Sequence, residues 1–165
     1  MRAISKLPGM AKSIRIQSFR SRALACWVAA LTLASTLSTT PALAQQIPMK
    51  LRLHVDGEVV TATLDDTAAA RDFAALLPLS LTLEDYAVIE RISSLPRKLS
   101  VAGAPAGMSP RTGDITYYAP WGNLAIFVGD NVYARGLVRL GRVDTGLPAL
   151  QRAGPLKVRI ERIND

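Results

Sequence analysis

The chain has 165 residues, with 20 Lys and Arg, 13 Asp and Glu, one Cys, one His and a formal net charge of +7. Six of the basic residues (Arg2, Lys6, Lys12, Arg15, Arg20 and Arg22) precede residue 23, where there is no acid. From Gln45 onward 14 basic residues face 13 acidic ones, and the resulting +1 exerts no sequence-independent pull on phosphates, so no nucleic-acid partner is expected.

Residues 1–44 read as a signal peptide. A basic, acid-free stretch leads into the largely apolar run 23–37, then Ser38-Thr39-Thr40-Pro41 and Ala42-Leu43-Ala44. That order predicts cleavage after Ala44 and a periplasmic or secreted product. Fifteen residues fall short of the roughly 20 a spanning helix needs, so no stable membrane anchor is expected after cleavage. Cys26 precedes most of the apolar run instead of following it, which argues against lipidation. Cleavage at Ala44 would remove that cysteine, and with it disulfides, thiolate catalysis and Cys-ligated metals.

Residues 45–48 form a short tether and 49–165 one domain with a single core. In 49–64, Met49, Leu51, Leu53 and Val55 alternate with Lys50, Arg52, His54 and Asp56, the period of a half-buried strand. Asp56-Gly57 suits a type I′ turn, which sets Leu53 opposite Val60, Leu51 opposite Ala62 and Met49 opposite Leu64. Asp65-Asp66 is expected to cap a helix over 67–77 that Pro78 stops. Strands are expected from the alternation at 79–84, and over 88–92, 98–101, 115–118, 124–128, 137–143 and 156–160, with a short helix at 147–152. Residues 103–113 read as a loop and Asp130-Asn131 as a turn. Many short strands with two short helices favour a small barrel or sandwich.

Little conventional chemistry is available. His54, the single histidine, lies on the polar face of the first strand and reads as a surface residue, and no G-x-S-x-G elbow accompanies it. One His and no mature Cys leave no transition-metal site, and neither a phosphate-binding loop nor a dinucleotide fingerprint is present. Asp65-Asp66 and Glu84-Asp85 read as cap and turn residues. No catalytic residue, metal or cofactor is expected.

Aromatic residues are unevenly placed: Tyr117, Tyr118, Trp121, Phe127 and Tyr133 crowd into 17 positions. Adjacent residues on a strand face opposite sides, so Tyr117 and Tyr118 cannot both be core. Two readings stay open. The aromatics close the core, or they line a pocket near 103–113 with Arg91 or Arg97 as its polar contact.

Four stretches resemble a known family. Gly113-Asp114-Ile115-Thr116-Tyr117, continued by Pro120, Gly122, Leu124, Ile126 and Phe127, resembles the G-D-I-x-Y…P-x-G-x-L-x-I-F segment of small bacterial cyclophilin-like proteins. Leu140-Gly141-Arg142-Val143 and the residues up to Leu150 look like the stretch after the active-site strand of cyclophilins. L-T-L-E-D-Y at 81–86 and L-P-R-K-L at 95–99 resemble secreted members of the same group. The resemblance implies a mainly β protein: a small closed cyclophilin-like barrel with two short helices capping its ends and a groove on one outer face.

Catalysis is not implied so directly. Cyclophilin isomerases carry F-H-R-x-x-P-x-F-M-x-Q, and nothing in this chain matches it. Arg91, within 88–92, lacks the following Phe-Met-x-Gln, and Val132 and Leu137 stand where the family has Trp and His. The expected function is an exported binding domain taking a peptide or small ligand in a groove built from Arg91, Arg97, Tyr117, Tyr118, Trp121 and Phe127. The alternative is a prolyl isomerase with a diverged site; a third class is a purely structural or partner-docking module.

Overall fold

The first hairpin folds as its alternation requires. A computed structural model describes residues 48–163; the expected signal segment, its Ala44 cleavage point and most of the tether lie outside the described residues. β1 (Lys50–Val55) and β2 (Glu58–Leu64) pair with Leu53 opposite Val60 and Leu51 opposite Ala62. Asp56 and Gly57 both take positive φ, 45° and 92°, which a type I′ turn demands. Leu51, Leu53, Val55, Val60, Ala62 and Leu64 are all buried.

α1 (Ala68–Ala74) is capped by Thr67, not by the expected aspartates: Thr67 Oγ1 accepts the Ala70 N–H at 3.1 Å. An N-cap oxygen must sit three residues before that donor, and Asp65 and Asp66 come too early. They pair with Arg139 and Arg71 instead. The helix stops short of residue 77 because the N–H groups of Leu76 and Leu77 close tighter turns onto Phe73 and Ala74.

β3 (Leu79–Tyr86) and β4 (Glu90–Ser94) are joined through Ala87 and Val88, at φ 48° and 58°. This left-handed turn takes the first two residues of the strand expected over 88–92. The strand expected over 98–101 does not form. Its donors go to side chains, Leu99 N–H to Tyr117 Oη (3.1 Å) and Ser100 N–H to Asp72 Oδ2 (2.7 Å), so no ladder can use them.

β5 (Gly107–Met108), within the expected loop, pairs with β8 (Ala134–Arg135) as a separate two-stranded sheet. β6 (Asp114–Tyr118), β7 (Asn123–Phe127), β9 (Leu137–Thr145) and β10 (Leu156–Arg162) complete the barrel, with α2 (Leu147–Leu150) before the last strand. The closed order is β1-β10-β3-β4-β7-β6-β9-β2, and every pairing is antiparallel. Closure leaves the eight strands without an unpaired edge. α1 lays Ala69, Ala70, Phe73 and Ala74 onto the barrel core and α2 adds Leu150. β2 and β6 approach Gly141 of β9 from either side, and a Cβ there would collide with the Thr63 carbonyl.

Candidate functional site: an aromatic cavity on the outer barrel wall

β7 is buried at all five positions. Leu124 and Ile126 point into the barrel core. Ala125 and Phe127 point outward and form a second apolar cluster with Leu137, against which Ile92, Met108, Tyr118 and Ala134 pack. A strand apolar on both faces needs cover on both. On the outside the β5–β8 sheet supplies part of it, through Met108 and Ala134.

The cover is incomplete and leaves a cavity of about 190 Å³. Ile92, Phe127, Ala134 and Leu137 line it with apolar surface; Tyr86, Tyr118 and Trp121 supply aromatic surface; Glu90, Asn123 and Asn131 are its polar residues. Trp121 stands nearly perpendicular to both phenols, at 86° and 5.7 Å between ring centres for Tyr86, and 83° and 5.3 Å for Tyr118. Edge-to-face contact of this kind suits aromatic quadrupoles. Trp121 remains 59% exposed and Tyr86 42%.

Glu90 and Asn123 set the electrostatics. Glu90 accepts a hydrogen bond from Asn131 Nδ2 at 3.3 Å. Burial pushes its carboxyl above the ordinary glutamate range, and the Asn131 bond offsets this only in part. Asn123 is 5% exposed, and its side-chain oxygen receives no hydrogen bond. No basic side chain lines the cavity.

Of the residues expected at the groove, Tyr118, Trp121 and Phe127 come together here. Tyr117 lies on the opposite face of β6, buried in the core, with its hydroxyl holding the Leu99 N–H. Arg91 follows Glu90 by one residue, and strand parity turns it to the other side of the wall. There its Nε donates to Leu150 O (2.6 Å) and one terminal nitrogen to Arg152 O (2.5 Å), and it is ion-paired with Asp85. Burial holds its pKa below the usual arginine value. Arg97 forks onto Asp72 of α1 at 2.5 and 2.9 Å. This bond and the Ser100 N–H lower the Asp72 carboxyl to about 2. Neither arginine reaches the aromatic cavity. His54 lies on the hairpin surface, 3.2 Å from Glu161.

Beside residues 103–113 lie two larger, more open hollows. One, of about 610 Å³, lies between α1 and residues 102–108; the other, of about 750 Å³, lies between 101–106 and Tyr118 with Pro120. The smaller cavity alone among these three combines several rings with a residue whose buried polar atom has no partner. Sequence reasoning missed Tyr86, Glu90 and Asn123. Tyr86 is 31 residues from Tyr117, and only the β3–β4 pairing, which sets it opposite Glu90, brings it over. Glu90 was reachable by parity, because if either Glu90 or Arg91 faces a groove the other cannot.

The fold is thus a closed eight-stranded barrel with an aromatic cavity on its outer wall. Residues 53–161 match the cyclophilin-like family, and the chain belongs to it. A hypothetical protein from Archaeoglobus fulgidus, solved in solution, has a similar structure: TM-score 0.53, 19% identity, covering 71% of this chain and 96% of that one. At that identity the likeness concerns the fold. No curated protein matches the sequence.

Proposed function

We propose that this domain is a binding module that takes a peptide or small ligand in the outer-wall cavity without carrying out prolyl isomerisation. The observation that carries this reading is the composition of the cavity: four aromatic residues and an asparagine whose buried side-chain oxygen is unpartnered, with no cationic donor among its lining residues. Isomerisation in cyclophilins depends on an arginine that polarises the twisted prolyl amide. Here Arg91 is committed to Leu150, Arg152 and Asp85, and Arg97 to Asp72. A protease-coupled assay on a proline peptide tests the catalytic half of the proposal. The expected result is no acceleration over the thermal rate, and acceleration that Tyr118→Ala and Trp121→Ala abolish would establish the diverged isomerase instead.

The proposal extends to location. The basic stretch, the run at 23–37 and Ala42-Leu43-Ala44 support export to the periplasm or beyond after cleavage at Ala44. Mass measurement of the protein recovered from a bacterial host tests this, with Gln45 expected as the first residue.

A further inference from the structure

The cavity on the outer wall sets aromatic rings and aliphatic surface beside Glu90, Asn123 and Asn131, with no basic side chain among its lining residues. Asn123 lines it, and the side-chain oxygen of Asn123 is buried and meets no donor from the protein. Buried polar atoms are nearly always paired, so an orphan of this kind beside a cavity points to a donor brought by a ligand. Glu90 is the second unmatched group. Among the described residues every aspartate pairs with a basic side chain, and Glu161 pairs with Arg52, His54 and Arg159. Glu58 and Glu84 are exposed, which leaves Glu90 as the partly buried carboxylate without a cation.

The two groups sit at opposite ends. In the β4–β7 register Glu90 lies opposite Phe127, whereas Asn123 lies opposite Ser94. Four residue steps along β7 separate the two ends, roughly 13 Å of strand. Apolar surface from Ile92 lies between, and Trp121 bridges Tyr86, beside Glu90, to Tyr118, beside Asn123. A slot of about 190 Å³ is smaller than the cavities that enclose drug-sized ligands, and it suits a single chain.

We propose that this slot selects an aliphatic chain bearing an ammonium at one end and an N–H donor at the other, the ammonium at Glu90 and the donor at Asn123. The proposal rests on the binding reading above and adds the ligand chemistry that the slot selects. A lysyl side chain with its own backbone amide carries this pattern, and so does a linear alkyl diamine. The rings add cation–π attraction to the same charge. An anion would meet Glu90 and repulsion. A neutral hydroxyl or amide would satisfy Asn123 but leave the carboxylate without its counter-charge. Burial alone already raises the Glu90 carboxyl, and a bound cation would reverse that penalty.

The test uses the full chain with Trp27→Phe, so that Trp121 is the single indole. Trp121 fluorescence is titrated with N-acetyl-lysine methylamide, with its norleucine counterpart and with 1,5-diaminopentane. Binding of the lysine amide at least tenfold tighter than the norleucine amide is expected. Glu90→Gln, which keeps a partner for Asn131, should erase that preference while the thermal midpoint stays near that of the parent. The relative affinity of the diamine then tells a free amine from a lysine within a peptide. Equal binding of the lysine and norleucine amides, or a preference that survives Glu90→Gln, overturns the cation proposal and leaves the groove reading standing. Silence of Trp121 toward every probe, proline peptides included, overturns both.

Discussion

Glu90 and Arg91 are neighbours on β4, and the barrel wall separates them. Glu90 lines the outer aromatic cavity, while Arg91 is buried on the other side against the carbonyls of Leu150 and Arg152. The two-residue period of a strand leaves no other arrangement. It gives the charged pair unrelated surroundings, a carboxylate without a cation at the outer cavity and a guanidinium that ties β4 to the end of α2.

Arg91 is therefore expected to matter for stability and not for ligand capture. Arg91→Ala removes the donors of two carbonyls and the partner of Asp85, a loss of about 3 kcal/mol. Urea unfolding should show a lower midpoint, while the Trp121 response to ligand persists in the folded protein. Loss of that response at full stability would assign Arg91 to the site.

Asp72 makes a prediction about acid. Its folded pKa of about 2 lies below the ordinary 3.8 because Arg97 and the Ser100 N–H hold the carboxylate. A depressed carboxylate stabilises the fold above its unfolded pKa and loses that contribution as pH falls through the folded one. The window is therefore about pH 4 down to pH 2. Solvent screening at this largely accessible pair limits the effect to about 1 kcal/mol. Asp72→Asn should narrow its deficit against the parent across that window, followed by urea midpoints from pH 5 to pH 2. A deficit independent of pH would show that the ion pair does not drive it.

Gly141 is needed for strand spacing. Gly141→Ala would press a methyl group on the Thr63 carbonyl, which is backbone and cannot rotate away. A loss of about 2–4 kcal/mol is expected, read from chemical unfolding. A change under about 0.5 kcal/mol would mean that β2 and β9 separate freely.

Val88 predicts a gain. It is 88% exposed and sits at φ 58°, where a β-branched residue is strained and asparagine is tolerated. Val88→Asn should raise stability by about 1 kcal/mol, seen as a thermal midpoint a few degrees higher. An unchanged midpoint would mean the turn relaxes without strain.

Local features were legible because their causes are local. Alternation and Asp56-Gly57 determined the β1–β2 register, since a one-residue slip would turn Leu51, Leu53 and Val55 to solvent. Adjacency determined that Tyr117 and Tyr118 part company, and the segments resembling the cyclophilin-like family led to the closed barrel. The cap of α1 was misplaced because Asp65, Asp66 and Thr67 are all good cap residues, and only the position of the first turn chooses among them. The strand expected at 98–101 failed because its donors found Tyr117 and Asp72, 18 and 28 residues away in sequence.

What the amino-acid order determined by itself was strand period, turn type and the side of the wall each neighbour takes relative to the next. Only the tertiary structure decided which side faces the core. It placed Arg91 inward and Glu90 outward, and carried Tyr86 to Trp121. It also left Asn123 without a donor. Those outcomes depend on which strands lie side by side after closure, and pairing between distant strands is set by the packing of the whole barrel.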